Sequence, residues 1–243
     1  DRKDLLLPEC QRKLIKTVCD GKTPVIIVNM TGSAVDLDYG NEHAAAIIQA
    51  WYPGAMGGKA VSDLIFGEYS PSGRLPVTFY RNDNHLPDFE DYSMDGRTYK
   101  YIKEKPLYPF GYGLSYTSFE YSNMKIDKNI INPGDSVECS VNVRNTGKYP
   151  GEEVVELYIR DEEASFRVPH HKLCGIKRVP LNMGEEKTVR FTVDAEAMCV
   201  IDDEGSSIYE GGEFTLFAGG HQPDDYSFDI AGSKCVSVVF EMR

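Results

Sequence analysis

The spacing of apolar and polar positions changes character partway along the chain. Pro24-Val25-Ile26-Ile27-Val28-Asn29-Met30 is a continuous apolar run of strand length, and Ala44 to Trp51 is a second. Such runs predict strands covered on both faces of a parallel sheet. Helical spacing lies around them. Pro8-Glu9-Cys10-Gln11 opens a helix that carries Leu14, Ile15 and Val18 on one face and is placed to stop at Gly21. Met56 to Gly67 puts Val61, Leu64 and Ile65 on one side of another helix, and Leu75 to Tyr80 reads as a third strand. Beyond residue 117 the period drops to two. Ser136 to Arg144 and Glu185 to Val193 alternate apolar and polar, as half-buried antiparallel strands do. Phe119–Ile126, Val154–Arg160, Lys172–Val179, Gly212–Gly219 and Val236–Phe240 complete about seven strands, punctuated by Asn132-Pro133-Gly134-Asp135 and Asn145-Thr146-Gly147.

These patterns predict an α/β part with a parallel sheet, then an all-β, immunoglobulin-like sandwich. Three strands make a small parallel sheet, so further chain is expected to complete it. Between the two parts, Arg81 to Tyr116 has little regular pattern, and a run of that kind wraps another body or carries function. It ends in Tyr108-Pro109-Phe110-Gly111-Tyr112-Gly113-Leu114-Ser115-Tyr116-Thr117. This stretch is too rich in Pro and Gly for a helix and too aromatic for a solvated loop. It reads as an extended seam with Tyr108, Phe110, Tyr112 and Tyr116 buried. The expected domains are residues 1–82, an extended connector at 83–116, and 117–243.

Charge narrows the partners. The 243 residues carry a formal net charge of -12. Nucleic acid and anionic membrane surfaces are thereby disfavoured, and neutral ligands such as sugars are favoured. No apolar run approaches the roughly 18–20 residues that span a bilayer. The six cysteines, Cys10, Cys19, Cys139, Cys174, Cys199 and Cys235, show no metal-type spacing and read as buried free thiols. The opening Asp1-Arg2-Lys3-Asp4, with no initiator Met, reads as a cut end, so it says nothing of compartment.

No self-contained catalytic constellation emerges. Asp36 and Asp38 follow the first strand, near the edge where parallel sheets bind ligands, but capping or solvation accounts for them. Glu90 and Asp91, Asp161-Glu162-Glu163 and Asp202-Asp203-Glu204 read as solvated acidic loops, and none matches a calcium-loop pattern. His43, His85, His170, His171 and His221 form no metal set, since adjacent residues such as His170 and His171 point to opposite faces of a strand. No G-x-S-x-G elbow is present. Gly54-Ala55-Met56-Gly57-Gly58 lacks the Lys of a phosphate loop and reads as tight strand-to-helix packing. No cofactor and no metal are expected.

Several stretches, in this order, resemble the C-terminal part of glycoside hydrolase family 3, the family of β-glucosidases and β-xylosidases. They are Asp1-Arg2 with Leu7-Pro8 and Gln11; Met30-Thr31-Gly32-Ser33; Ala50-Trp51-Tyr52-Pro53-Gly54 with Gly57-Gly58; Phe66 to Thr78; Gly96-Arg97-Thr98-Tyr99; and Tyr108 to Thr117. The resemblance implies the end of an α/β/α sandwich followed by a fibronectin type III-like β-sandwich. Trp51-Tyr52-Pro53-Gly54 and Gly219 to Asp224 look more like the β-xylosidase branch. Family members are retaining hydrolases, with an Asp nucleophile on a (β/α)8 barrel and a Glu acid/base just upstream of the Asp-Arg pair. Neither has a counterpart here, so no catalytic residue is carried over, Asp36, Asp38 and Glu42 included, and no substrate-binding residue is assigned. The implied partners are a β-linked oligosaccharide or glycoside, bound by the whole enzyme, and the missing barrel and remainder of the α/β/α domain. The aromatic surplus keeps a second reading open, a stand-alone carbohydrate-binding or interaction module.

Overall fold

The computed structural model describes residues 3–243, so the Asp1-Arg2 motif lies outside the described residues. The chain divides into two compact units: residues 1–69 with 77–109, and residues 70–76 with 110–243.

The first unit contains α1 (Glu9–Cys19), β1 (Ile26–Asn29), α2 (Asp38–His43), β2 (Ala46–Gln49), α3 (Gly57–Ile65) and the short α4 (Thr98–Tyr101). Strands β1 and β2 pair in parallel, from Ile26 opposite Ala46 to Asn29 opposite Gln49. Pro8 stands at the entry of α1, where its missing N–H costs nothing. The expected burial on both faces is not reached: Ile26 is 44% and Met30 61% exposed, and α1 buries no residue. The cause is the number of strands. Among the described residues this sheet has two, too few to enclose its own apolar side chains.

The expected third strand is replaced by irregular chain. Its second half keeps one antiparallel bridge, Phe79 with Tyr108. Its first half belongs to the other unit, where Leu75 donates to Tyr112 O (2.9 Å) and Gly111 donates to Leu75 O (2.8 Å). Pro71 and Pro76 lack the N–H that a longer ladder needs.

The second unit is a sandwich. It comprises β3 (Phe119–Ile126), β4 (Ile130–Ile131), β5 (Val137–Asn145), β6 (Gly151–Asp161), β7 (Lys172–Leu181), β8 (Glu186–Val193), the small pair β9 (Val200–Ile201) and β10 (Ser207–Ile208), β11 (Gly212–Gly219), α5 (Asp225–Ala231) and β12 (Val236–Met242). One sheet runs β4-β12-β11-β6-β7 and the other β3-β5-β8. The alternating strands supply the core between them. Val141 and Val143 of β5, Phe191 and Val193 of β8, and Val155, Leu157 and Ile159 of β6 are all buried there. Phe214 and Phe240 stack with ring centroids 5.5 Å apart. Strand β6 is buried on its other face too, where Glu156 and Tyr158 lie. Among the described residues no helix is long and apolar enough to cross a membrane.

Candidate functional site at the carboxyl edge of the parallel strands

Open parallel sheets bind ligands beyond the carboxyl ends of their strands. Here that edge is polar and ordered. Asn29 Nδ2 donates to Gln49 Oε1 (2.5 Å) across the strand pair and to Thr31 Oγ1 (3.0 Å). Thr31 donates in turn to Ser33 O (2.9 Å). Beside it lies a cleft of about 500 Å³, where Asp4, Gln11, Arg12 and Thr31 offer hydrogen-bonding groups next to Leu7 and Val35.

The chain leaving β2 is tightly constrained. Trp51 sits at φ 53°, the left-handed region that costs a side-chain-bearing residue roughly 1–2 kcal/mol. Its ring is held edge-on to Phe79, centroids 6.1 Å apart. Tyr52 precedes a proline and is thereby restricted to extended backbone. Pro53 packs on Gly57, where a Cβ would come within 2.5 Å of its Cγ. Tyr52 itself is 79% exposed, yet its ring edge rests on Gly32, where a Cβ would lie 2.6 Å from Cε2. Within the Gly54–Gly58 stretch, Gly57 thus packs the chain leaving β2 against the start of α3, while Gly54 and Gly58 face open space.

The acidic and imidazole groups singled out in the sequence do not converge. Asp38 pairs with Arg81 (2.5 Å), and Asp36 accepts from the Asp38 N–H (3.0 Å). His43 stacks on Tyr39, centroids 4.1 Å apart. Asp91 accepts from Ser93 N (2.8 Å) within its own loop, Asp161 from Glu163 N (3.1 Å) and Asp202 from Ser206 N (2.7 Å). Among the described residues no group of three or more His, Cys, Asp or Glu side chains is placed to hold a metal ion. The rings of the aromatic seam are less buried than expected. Tyr116 is 48% exposed, while the neighbouring Leu107 is 2% exposed. Tyr108 donates to Asn41 Oδ1 (2.8 Å) in the first unit, and Phe110 onward belongs to the second.

A second polar cluster, inside the sandwich unit, escaped the sequence. Arg74 donates to Glu153 Oε2 (2.8 Å) and to Gly220 O (2.9 Å). Tyr121 donates to Glu153 Oε1 (2.5 Å), and Tyr158 to Glu156 Oε2 (2.6 Å). Gln222 donates to Phe110 O (2.8 Å), leaving its Oε1 to accept from the His171 ring at 2.6 Å. Burial is the leading cause of every shift here. It raises Glu153 above the usual carboxylate range, pushes Glu156 up to about 7, and lowers His171 to about 4. Two carboxyls with raised pKa values are a signature of acid–base sites. Both, however, are 2% exposed and hold structural partners, so the cluster fastens residues 70–76 and 110–116 to the sandwich. Glu153 and Glu156 stand among Val154, Val155, Leu157 and Ile159, and that placement in an apolar stretch is the sequence signal of their burial.

The fold thus defines a class: an α/β module with a parallel strand pair, followed by a fibronectin-like β-sandwich. Residues 1–116 match the glycosyl hydrolase family 3 C-terminal domain, and residues 153–222 match the fibronectin type III-like domain. The chain belongs to glycosyl hydrolase family 3 and corresponds to the C-terminal part of its β-glucosidase and β-xylosidase type proteins. It is 42% identical over 208 residues to a xylan 1,4-beta-xylosidase of Xylanibacter ruminicola, covering 86% of this chain and 24% of that protein. It is 36% identical to a periplasmic beta-glucosidase of Salmonella typhimurium, covering 90% of this chain and 30% of the other. The crystal structure of a beta-glucosidase from Kluyveromyces marxianus in complex with glucose superposes on all of this chain with a TM-score of 0.87 at 30% identity, and the match covers 30% of that structure. The chain therefore spans about a quarter to a third of the length of these relatives.

Proposed function

We propose that this chain is the C-terminal part of a retaining β-glycosidase that removes terminal β-linked xylose or glucose from oligosaccharides or glycosides. In this reading both catalytic carboxylates lie outside these 243 residues, on a (β/α)8 barrel and on the remainder of the α/β/α domain. The carboxyl edge of β1 and β2 forms part of the wall of the sugar cleft, and the sandwich stays a non-catalytic support. The observation that carries the reading is the match to β-xylosidases and β-glucosidases over 86–90% of the chain.

The chemistry of the side chains supports it. A retaining mechanism needs two accessible carboxyls about 5–5.5 Å apart, one nucleophilic and one protonated. At the polar sheet edge Asp38 is neutralised by Arg81. Of the carboxyls with raised pKa values, Glu153 and Glu156 are sealed from any sugar, and Asp161 accepts from Glu163 N within its own loop. The test is an assay of the 243-residue chain on nitrophenyl β-xyloside and β-glucoside. The expected result is release at the uncatalysed rate; enzyme-like turnover of either would overturn the assignment of the carboxylates.

A further inference from the structure

Among the most exposed rings of the first unit, Phe66, Phe89, Tyr92 and Tyr52, the last is set apart by its surroundings. It is a large ring left 79% exposed, on a backbone with almost no freedom. Trp51 before it holds φ 53°. Strain of that kind persists only where the surroundings enforce it, and it gathers at functional positions. Tyr52 is fixed by the following proline, and Pro53 is seated on Gly57. The ring lies against Gly32, at a spot that any Cβ would fill. Four features of the sequence, Trp51, Pro53, Gly32 and Gly57, thus hold one exposed ring in one place. None of them helps to bury it.

That place is the turn following Thr31, and Thr31 lines the cleft at the carboxyl edge. The same cleft is lined by Asp4, Gln11 and Arg12, which carry groups that bond neutral hydroxyls. A rigid aromatic face beside hydrogen-bonding side chains fits a ligand with an apolar C–H face and an equatorial fringe of hydroxyls. The overall charge of -12 turns away anionic alternatives.

We propose that Tyr52 is a substrate-positioning residue, whose ring stacks on a pyranose unit of a neutral β-linked saccharide at the carboxyl edge of the parallel strands. This rests on the glycosidase reading and names one contact within it. The fixed ring sets the plane of the sugar, and the cleft beside Thr31 receives its hydroxyls.

Trp51 is the sole tryptophan of the chain, so its emission reports on the adjacent residue. The test is titration of the 243-residue chain with xylobiose and with cellobiose, followed by Trp51 fluorescence and by saturation-transfer NMR of the sugar. The expected result is a saturable response to at least one disaccharide, weakened about tenfold or more in Tyr52→Ala and kept within about threefold in Tyr52→Phe. Unchanged melting of Tyr52→Ala, expected for so exposed a side chain, assigns the loss to the contact. No response from the unsubstituted chain, an equal response from Tyr52→Ala, or an equal loss in Tyr52→Phe would overturn the proposal. Binding is read here without turnover, so the outcome is separable from the assay of the catalytic reading. A chain that binds through Tyr52 and also hydrolyses aryl glycosides would uphold this contact and overturn that reading.

Discussion

The two units hold similar apolar side chains and treat them differently. In the sandwich, Val155, Leu157 and Val193 are each 0% exposed between two sheets. In the α/β unit, Ile26 is 44%, Leu14 61% and Phe66 80% exposed. The local patterns are equally good; what differs is the number of layers. A sheet of five strands facing a sheet of three closes a core, whereas a pair of parallel strands with short helices leaves apolar surface at its margins. Polar groups follow the same division. The cluster around Glu153 and Glu156 is enclosed and mutually satisfied, whereas Thr31 at the end of the parallel pair lines an open cleft.

Substitutions that meet the same chemistry in both settings sharpen this contrast. The largest effect belongs to Arg74→Ala, which leaves the Glu153 carboxylate buried without its cation. Denaturant unfolding of the sandwich should lose about 3–5 kcal/mol. Leu157→Ala should cost about 2–5 kcal/mol in the same experiment, while Leu14→Ala on α1 should stay within about 0.5 kcal/mol. Similar costs at both leucines would break the comparison.

The enclosed ionisable groups make a pH prediction. Glu156 rises from 4.5 to about 7 on folding, so the folded state holds its proton more tightly. Its contribution is full below pH 4.5 and is lost as pH rises through 7, by about 3 kcal/mol. His171 falls from 6.5 to about 4, so its contribution is full above pH 6.5 and is lost as pH falls through 4, by a similar amount. The two slopes oppose each other over most of the range. Glu156→Gln should therefore unmask a stability that climbs with pH between about 4 and 6.5, where the parent chain is nearly level. A level profile in the variant would contradict the burial of His171 as a neutral ring. The smallest effect is expected at Tyr52→Ala, within about 0.5 kcal/mol by thermal melting, because an exposed ring contributes little to folding.

The sequence disclosed the sandwich well, because period-two strands such as Val137–Asn145 and Glu186–Val193 carry their own burial pattern. It disclosed the parallel strands as elements but overstated their burial, since Pro24 to Met30 has the composition of a strand covered on both faces and says nothing of what is there to cover it. The segment from Leu75 to Tyr80 failed as a strand because Pro76 breaks its ladder and its halves belong to different units. The polar cluster was illegible. Arg74, Glu153, Glu156, His171 and Gln222 are brought together over as many as 146 positions, as in the bond from Arg74 to Gly220. Of the candidate edge, the resemblance marked Trp51 to Gly54, but the left-handed Trp51 and the seat of Tyr52 on Gly32 appear only in three dimensions.

The central claim is that the nucleophile of the proposed glycosidase lies outside this chain. Retaining enzymes trap 2-deoxy-2-fluoro glycosyl fluorides as covalent esters of the nucleophilic carboxylate. The most direct measurement is the intact mass of the 243-residue chain after incubation with the xylosyl and the glucosyl reagents. The account expects the mass to stay that of the unmodified protein. A stoichiometric gain of one fluoroglycosyl group, mapped to any Asp or Glu of this chain, would contradict it.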